Sequence, residues 1–160
     1  MSKKKIIILI VVAVLLGAAL FVSIIIKRYL DRPVSTVEIN GQTVKVELAE
    51  EPFKKMVGLS GRRSMPDNEG MVFTYLSKGI YEFWMKGMRF PLDFIWLDDW
   101  KVVDITRNVP PQGGSADPNL KRYTPKTEIN AMIELNAGLA DKWGIKEGMT
   151  VKLNKVSEDK

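Results

Sequence analysis

The hydropathy pattern divides the chain near residue 30. Residues 6–26, IIILIVVAVLLGAALFVSIII, form a 21-residue run without a charge. As a helix rising about 1.5 Å per residue, such a run crosses a hydrocarbon core of roughly 30 Å. Lys3, Lys4 and Lys5 precede it, and Lys27 and Arg28 follow. A cleaved signal peptide has an apolar core of only about 7–15 residues ending in small side chains. Gly17-Ala18-Ala19 imitates that ending, but Phe, Val and Ile carry the run further, which suits a retained anchor. The basic residues nearly balance across the span, so charge alone orients it weakly. A very short N-terminal tail ahead of a long C-terminal domain favours a signal-anchor in the cell membrane, with the domain extracytoplasmic.

Beyond residue 30 the pattern changes to short apolar runs divided by turn residues. The expected organisation is an anchor over 1–28, a juxtamembrane linker over 29–35, a β-rich domain over 36–153 and a frayed tail over 154–160. Residues 36–39 and 42–48 flank Asn40-Gly41. That dipeptide tolerates the positive φ values of a type I′ turn, so a hairpin is expected. Pro52 begins a short helix that ends at Gly58. Strands are expected over 71–76, 80–85, 92–97, 101–107, 131–135 and 149–153, with a second helix over 137–143. Residues 108–127 hold four Pro and two Gly; a loop this long within a compact domain is more often functional or mobile than incidental. The fold class is mainly β (α+β): a small curved antiparallel sheet or partly open barrel with two short helices, preceded by one transmembrane helix.

Composition narrows the chemistry. The chain has no Cys and no His. Disulfides, thiol nucleophiles, Ser-His-Asp triads and histidine metal sites are excluded. Of 24 Lys and Arg, five lie in residues 1–30, leaving nineteen against nineteen acids in the remainder. A domain without basic excess offers no electrostatic case for nucleic acid. No cofactor or metal is implied.

The order and spacing of several separated motifs resemble the DUF192 (UPF0127) family. They are Gly58-Leu59, Arg62-Arg63-Ser64-Met65-Pro66, Glu69-Gly70-Met71-Val72-Phe73, Phe83-Trp84-Met85-Lys86, Pro91-Leu92-Asp93 and Glu134-Leu135-Asn136-Ala137-Gly138. The resemblance implies a compact β-rich domain, often exported or anchored, and brings no activity with it. Gly87-Met88 stands where members commonly have Asn-Thr, and Ser60 where Met is usual.

Three constellations carry candidate chemistry. Residues 81–99 gather three Phe, two Trp, two Met and a Tyr around Pro91 and Asp93. Strand alternation there places Tyr81, Phe83 and Met85 on one face, with Glu82, Trp84 and Lys86 on the other. Trp84 is thus a candidate to stack on a flat ligand, although aromatic residues in strands more often belong to a core. Asp93 and Glu134 each alternate with apolar residues, an arrangement that needs a partner. Arg62, Arg63 or Arg89 could supply one as a buried ion pair. The alternatives are a ligand acceptor, or a general acid and base in a glycan-type hydrolase with carboxyls about 5–5.5 Å or 6.5–9.5 Å apart. The methionines around Trp84 suit Cu(I) through their thioethers, but more often fill gaps in a core. The candidate ligand-binding residues are therefore Arg62, Arg63, Trp84, Met85, Lys86, Asp93 and Glu134, with Asp93 and Glu134 doubling as catalytic candidates. The expected function is a binding or accessory domain for a small molecule, glycan or partner protein; a purely structural interaction domain is the third reading.

Overall fold

A computed structural model of the chain describes residues 4–5, 14–23, 34–113 and 120–156. Of the apolar run over 6–26, residues 14–23 are helical and the rest lies outside the described residues. No described helix is long and apolar enough to cross a membrane. Residues 1–33 and 34–160 are separate compact units, and the β-rich domain is the second.

Within that domain seven strands alternate with two short helices: β1 (Thr36–Ile39), β2 (Gln42–Ala49), α1 (Pro52–Val57), β3 (Glu69–Gly79), β4 (Leu92–Asp98), β5 (Lys101–Val109), β6 (Ile129–Asn136), α2 (Leu139–Lys142) and β7 (Val151–Asn154). They form one sheet in the order β5-β4-β6-β3-β2-β1-β7. All neighbours are antiparallel except β2 and β3, which the α1 crossover makes parallel. The sheet curls until its edge strands meet. Lys101 bridges Thr150, and Val151 donates its N–H to the Trp100 carbonyl at 2.7 Å. The expected mainly β fold, a curved barrel-like sheet with short helices, is observed, although the β2–β3 pair makes the sheet mixed rather than antiparallel throughout.

The local chemistry explains the turns. Asn40 and Gly41 take φ of 45° and 76°, as a type I′ hairpin demands. The β4–β5 hairpin turns on Asp99 and Trp100 with φ of 47° and 62°, a conformation unusual for side chains of this size. Asn130 secures that turn: it accepts the Asp99 N–H at 3.0 Å and donates to the Asp99 carboxylate at 2.8 Å.

Apolar packing lies on both faces of the sheet. Inside the curl, residues from all seven strands meet, among them Val37, Val46, Val72, Ile95, Ile133 and Val151, and α2 adds Leu139 and Ala140. On the outer face of β3, β6 and β4, a second cluster centres on Phe73, Phe94, Trp96 and Met132. This is why β4 reads as a nearly continuous apolar run, as strands covered on both faces do. Residues 80–85, expected to be a strand, instead cross this outer face as an extended cover. Their only ladder pairing among the described residues is one bridge, Phe83 to Tyr123, and beyond it Met85 accepts the Gln112 N–H at 3.3 Å. The expected alternation nevertheless survives in burial: Phe83 and Met85 point inward, while Glu82 is exposed. Met85, Met88, Met71 and Met132 are all buried in this second cluster, where polarizable thioethers fill gaps between rings.

The second helix is shorter than expected because Gly138, with φ of 85°, delays its start. The chain is ordered past residue 153: β7 runs to Asn154, and Val156 donates its N–H to Ser35 Oγ at 3.1 Å. Residues 157–160 of the expected frayed tail lie outside the described residues, as do 114–119 of the long loop.

Gly70 sits where β3 and β6 approach closely. A Cβ there would lie 2.7 Å from the Glu134 carbonyl oxygen and 3.2 Å from Leu135 Cδ2. Gly70→Ala is expected to cost about 1–3 kcal/mol in urea unfolding. An unchanged midpoint would show that β3 and β6 separate freely at this point.

Candidate functional site

Strand register decides which side chains can share a site. Glu47 pairs with Met71, Met71 with Glu134 and Glu134 with Phe94, so all four lie in one row on the outer face. Asp93 pairs with Leu135, one residue out of step with that row. Its side chain therefore enters the opposite face of the sheet. The two carboxylates do not share a site.

Asp93 is fully buried and accepts two backbone N–H groups, from Asn108 at 2.8 Å and Ala140 at 2.9 Å. These tie the end of β5, where Asn108 has φ of 52°, to the first turn of α2. The expected arginine partner is not the one used. Backbone donors satisfy this carboxylate because it reaches past the strand ends to a helix start whose own N-cap is glycine.

The arginines go elsewhere. Arg62 binds Glu47 through two hydrogen bonds of 2.6 and 2.8 Å. This pairing holds the Glu47 carboxyl below the usual range. Arg63 is exposed, with no ion pair to any described residue. Lys86 contributes its carbonyl, which accepts the Ser60 hydroxyl at 2.6 Å, and the Gly61 N–H donates to the Gly87 carbonyl at 2.9 Å. These bonds staple residues 58–61 to residues 86–87.

Between the stapled segments, α1 and β3 lies a cleft with a cavity volume of about 230 Å³. Phe73, Tyr75, Phe83 and Trp84 wall it, together with Leu59 and Met88. Glu134 forms its floor, only 5% exposed. Its Oε2 makes no hydrogen bond to any described residue. Burial pushes its carboxyl up to about 8, and the nearby Arg62 charge opposes that rise. Gly58, at φ of 52°, lets the chain leave α1 directly above this group, where a Cβ would stand 3.9 Å from Oε2.

Two of the walls already carry cations. Lys55 Nζ lies 4.3 Å from the Tyr75 ring centroid, and the Arg122 guanidinium lies 4.1 Å from that of Trp84. Tyr75 also stacks on Tyr81 at 3.5 Å, and burial pushes its hydroxyl up to about 12. Of the expected site residues, the cleft thus brings together Trp84 and Glu134. Asp93, Arg63, Met85 and Lys86 do not line it, and Arg62 acts on Glu134 through its charge alone. Tyr75 and Lys55 were not expected. Tyr75 lies two residues beyond Phe73 and so shares its face, a signal present in the sequence; Lys55, on a six-residue helix with no buried residue, offered none.

Residues 35–153 match the DUF192 family, described as "Uncharacterized ACR". The chain belongs to the DUF192 family. Two crystal structures resemble this DUF192 domain. One is of a protein of unknown function from Novosphingobium aromaticivorans, 30% identical, with a TM-score of 0.66, covering 74% of this chain and 83% of that one. The other, from Sinorhizobium meliloti, is described as a "putative transcription regulator"; it is 26% identical, with a TM-score of 0.64, covering 75% and 93%. No curated protein matches the chain.

Proposed function

We propose that this DUF192 chain is a membrane-anchored binding domain that takes a small molecule in the cleft above Glu134. The observation that carries this reading is a carboxyl, buried and without a hydrogen-bond partner among the described residues, at the floor of an aromatic-walled cavity. Concave, largely apolar sites with a few converging polar groups are where small ligands bind. Glu134 supplies the polar anchor, and the rings supply contact area. The membrane anchor is residues 6–26, whose length and lack of charge suit a span. Lys3, Lys4 and Lys5 ahead of the run suit an orientation with the domain outside the cytoplasm. A hydrolase using Asp93 and Glu134 together has no geometry to act through, since the sheet lies between them.

The test is an amide-shift titration of the full chain in detergent micelles against sugars, nucleosides, amines and short peptides. Shifts confined to Gly58, Tyr75, Trp84 and Glu134, with Asp93 and Asn108 silent, are the expected result. Saturable shifts elsewhere, with the cleft silent, would overturn the reading.

A further inference from the structure

We infer that the cleft selects an organic cation, a protonated amine carried on a small apolar body. This rests on the ligand-site reading above and adds the ligand's chemical class. The floor is a carboxyl, which as an anion accepts hydrogen bonds and offers none. No cation of the described protein is bonded to it: Arg62, the nearest in effect, spends both terminal nitrogens on Glu47. The walls are the rings of Phe73, Tyr75, Phe83 and Trp84. Ring faces attract cations, and a carboxylate joined to aromatic faces is a recognition device for ammonium groups. The protein's own Lys55, which lines the cleft, and Arg122, just outside it, already use Tyr75 and Trp84 in this way. An anionic ligand would meet two carboxyls, Glu134 at the floor and the exposed Glu82, against one lining cation, Lys55, which is already seated over Tyr75.

Binding exchanges one positive charge for another. The ammonium enters, Glu134 ionises, and its proton leaves for solvent. The charged and titratable groups facing Glu134 are Arg62 from the segment after α1, itself held by Glu47 of β2, and Tyr75 of β3. Lys55 of α1 and Glu82, between β3 and β4, line the same cleft. Neither Arg62 nor Tyr75 changes charge near neutrality, so the pH response belongs to Glu134.

The experiment compares three probes of matched size on the full chain in detergent micelles: 2-phenylethylamine, 2-phenylethanol and phenylacetate, each monitored through the Trp84 indole and Gly58 amide signals. Only the amine is expected to bind tightly. Its affinity should rise roughly tenfold per pH unit between about pH 6 and pH 8, then level off. Glu134→Gln should weaken the amine at least about tenfold and abolish this pH dependence. If that variant fails to fold, the wild-type pH series decides the matter. Equal or tighter binding of the alcohol or the acid at the same residues overturns the cation class while leaving the cleft as a ligand site. Silence from all three probes overturns both.

Discussion

Between about pH 5 and pH 8 the DUF192 domain loses stability on the order of 4 kcal/mol, and Glu134→Gln abolishes the loss. The cause is Glu134, which the outer face buries with its Oε2 lacking a hydrogen-bond partner among the described residues. Unfolded, the Glu134 carboxyl titrates at its ordinary 4.5; folded, it holds its proton to about 8. Below the lower value both states are protonated and the group is neutral in its effect. Above it, the unfolded state ionises freely while the folded state must retain the proton, so stability falls with each pH unit. Past the upper value both states are ionised and the loss stops growing. No other shifted group intrudes on this window. Glu47, Asp67 and Asp99 are lowered and lose their contributions only in more acidic solution, while Tyr75 and Lys78 are raised and respond only in more alkaline solution. The measurement is a urea midpoint at each pH for both proteins. Parallel curves would show that Glu134 is not desolvated in the folded protein.

Asp93→Ala removes the acceptor from two buried backbone donors at once. Each stranded N–H costs about 1–3 kcal/mol, and the emptied space adds to that. A loss of roughly 3–5 kcal/mol results, lowering Tm by on the order of 15 °C. The same variant should leave ligand shifts at Trp84 intact wherever it remains folded, because Asp93 lies across the sheet from the cleft. An unaltered Tm would mean that Asn108 and Ala140 find other acceptors.

The elements are largely legible in the sequence because their signals are local. Asn40-Gly41 specifies its turn through backbone sterics, and Pro52 and Gly58 bracket α1. The buried character of Asp93 and Glu134 is also readable, since each alternates with apolar neighbours. Their partners are not. Whether a carboxylate meets arginine or a helix start depends on which strands are adjacent, and the order β5-β4-β6-β3 is a tertiary fact. The same order sets Asp93 and Glu134 on opposite faces, which no spacing within either strand could reveal. Residues 80–85 imitate a strand because period-two burial belongs equally to a strand and to an extended cover. The charged neighbours of Trp84 mark it as a residue at the edge of a cleft, whereas Tyr75 is marked only by sharing a face with Phe73.

The pairing of β1 with β7 carries a consequence for biosynthesis. Thr36 lies beside Asn154 and Ile39 beside Val151, so the first strand of the domain is completed by the last. A chain emerging in order from a ribosome or a translocation channel cannot close this sheet piecemeal. The inner core, to which all seven strands contribute, stays open to solvent until residue 154 is free. Folding is thereby deferred to a late, cooperative step dominated by contacts distant in sequence.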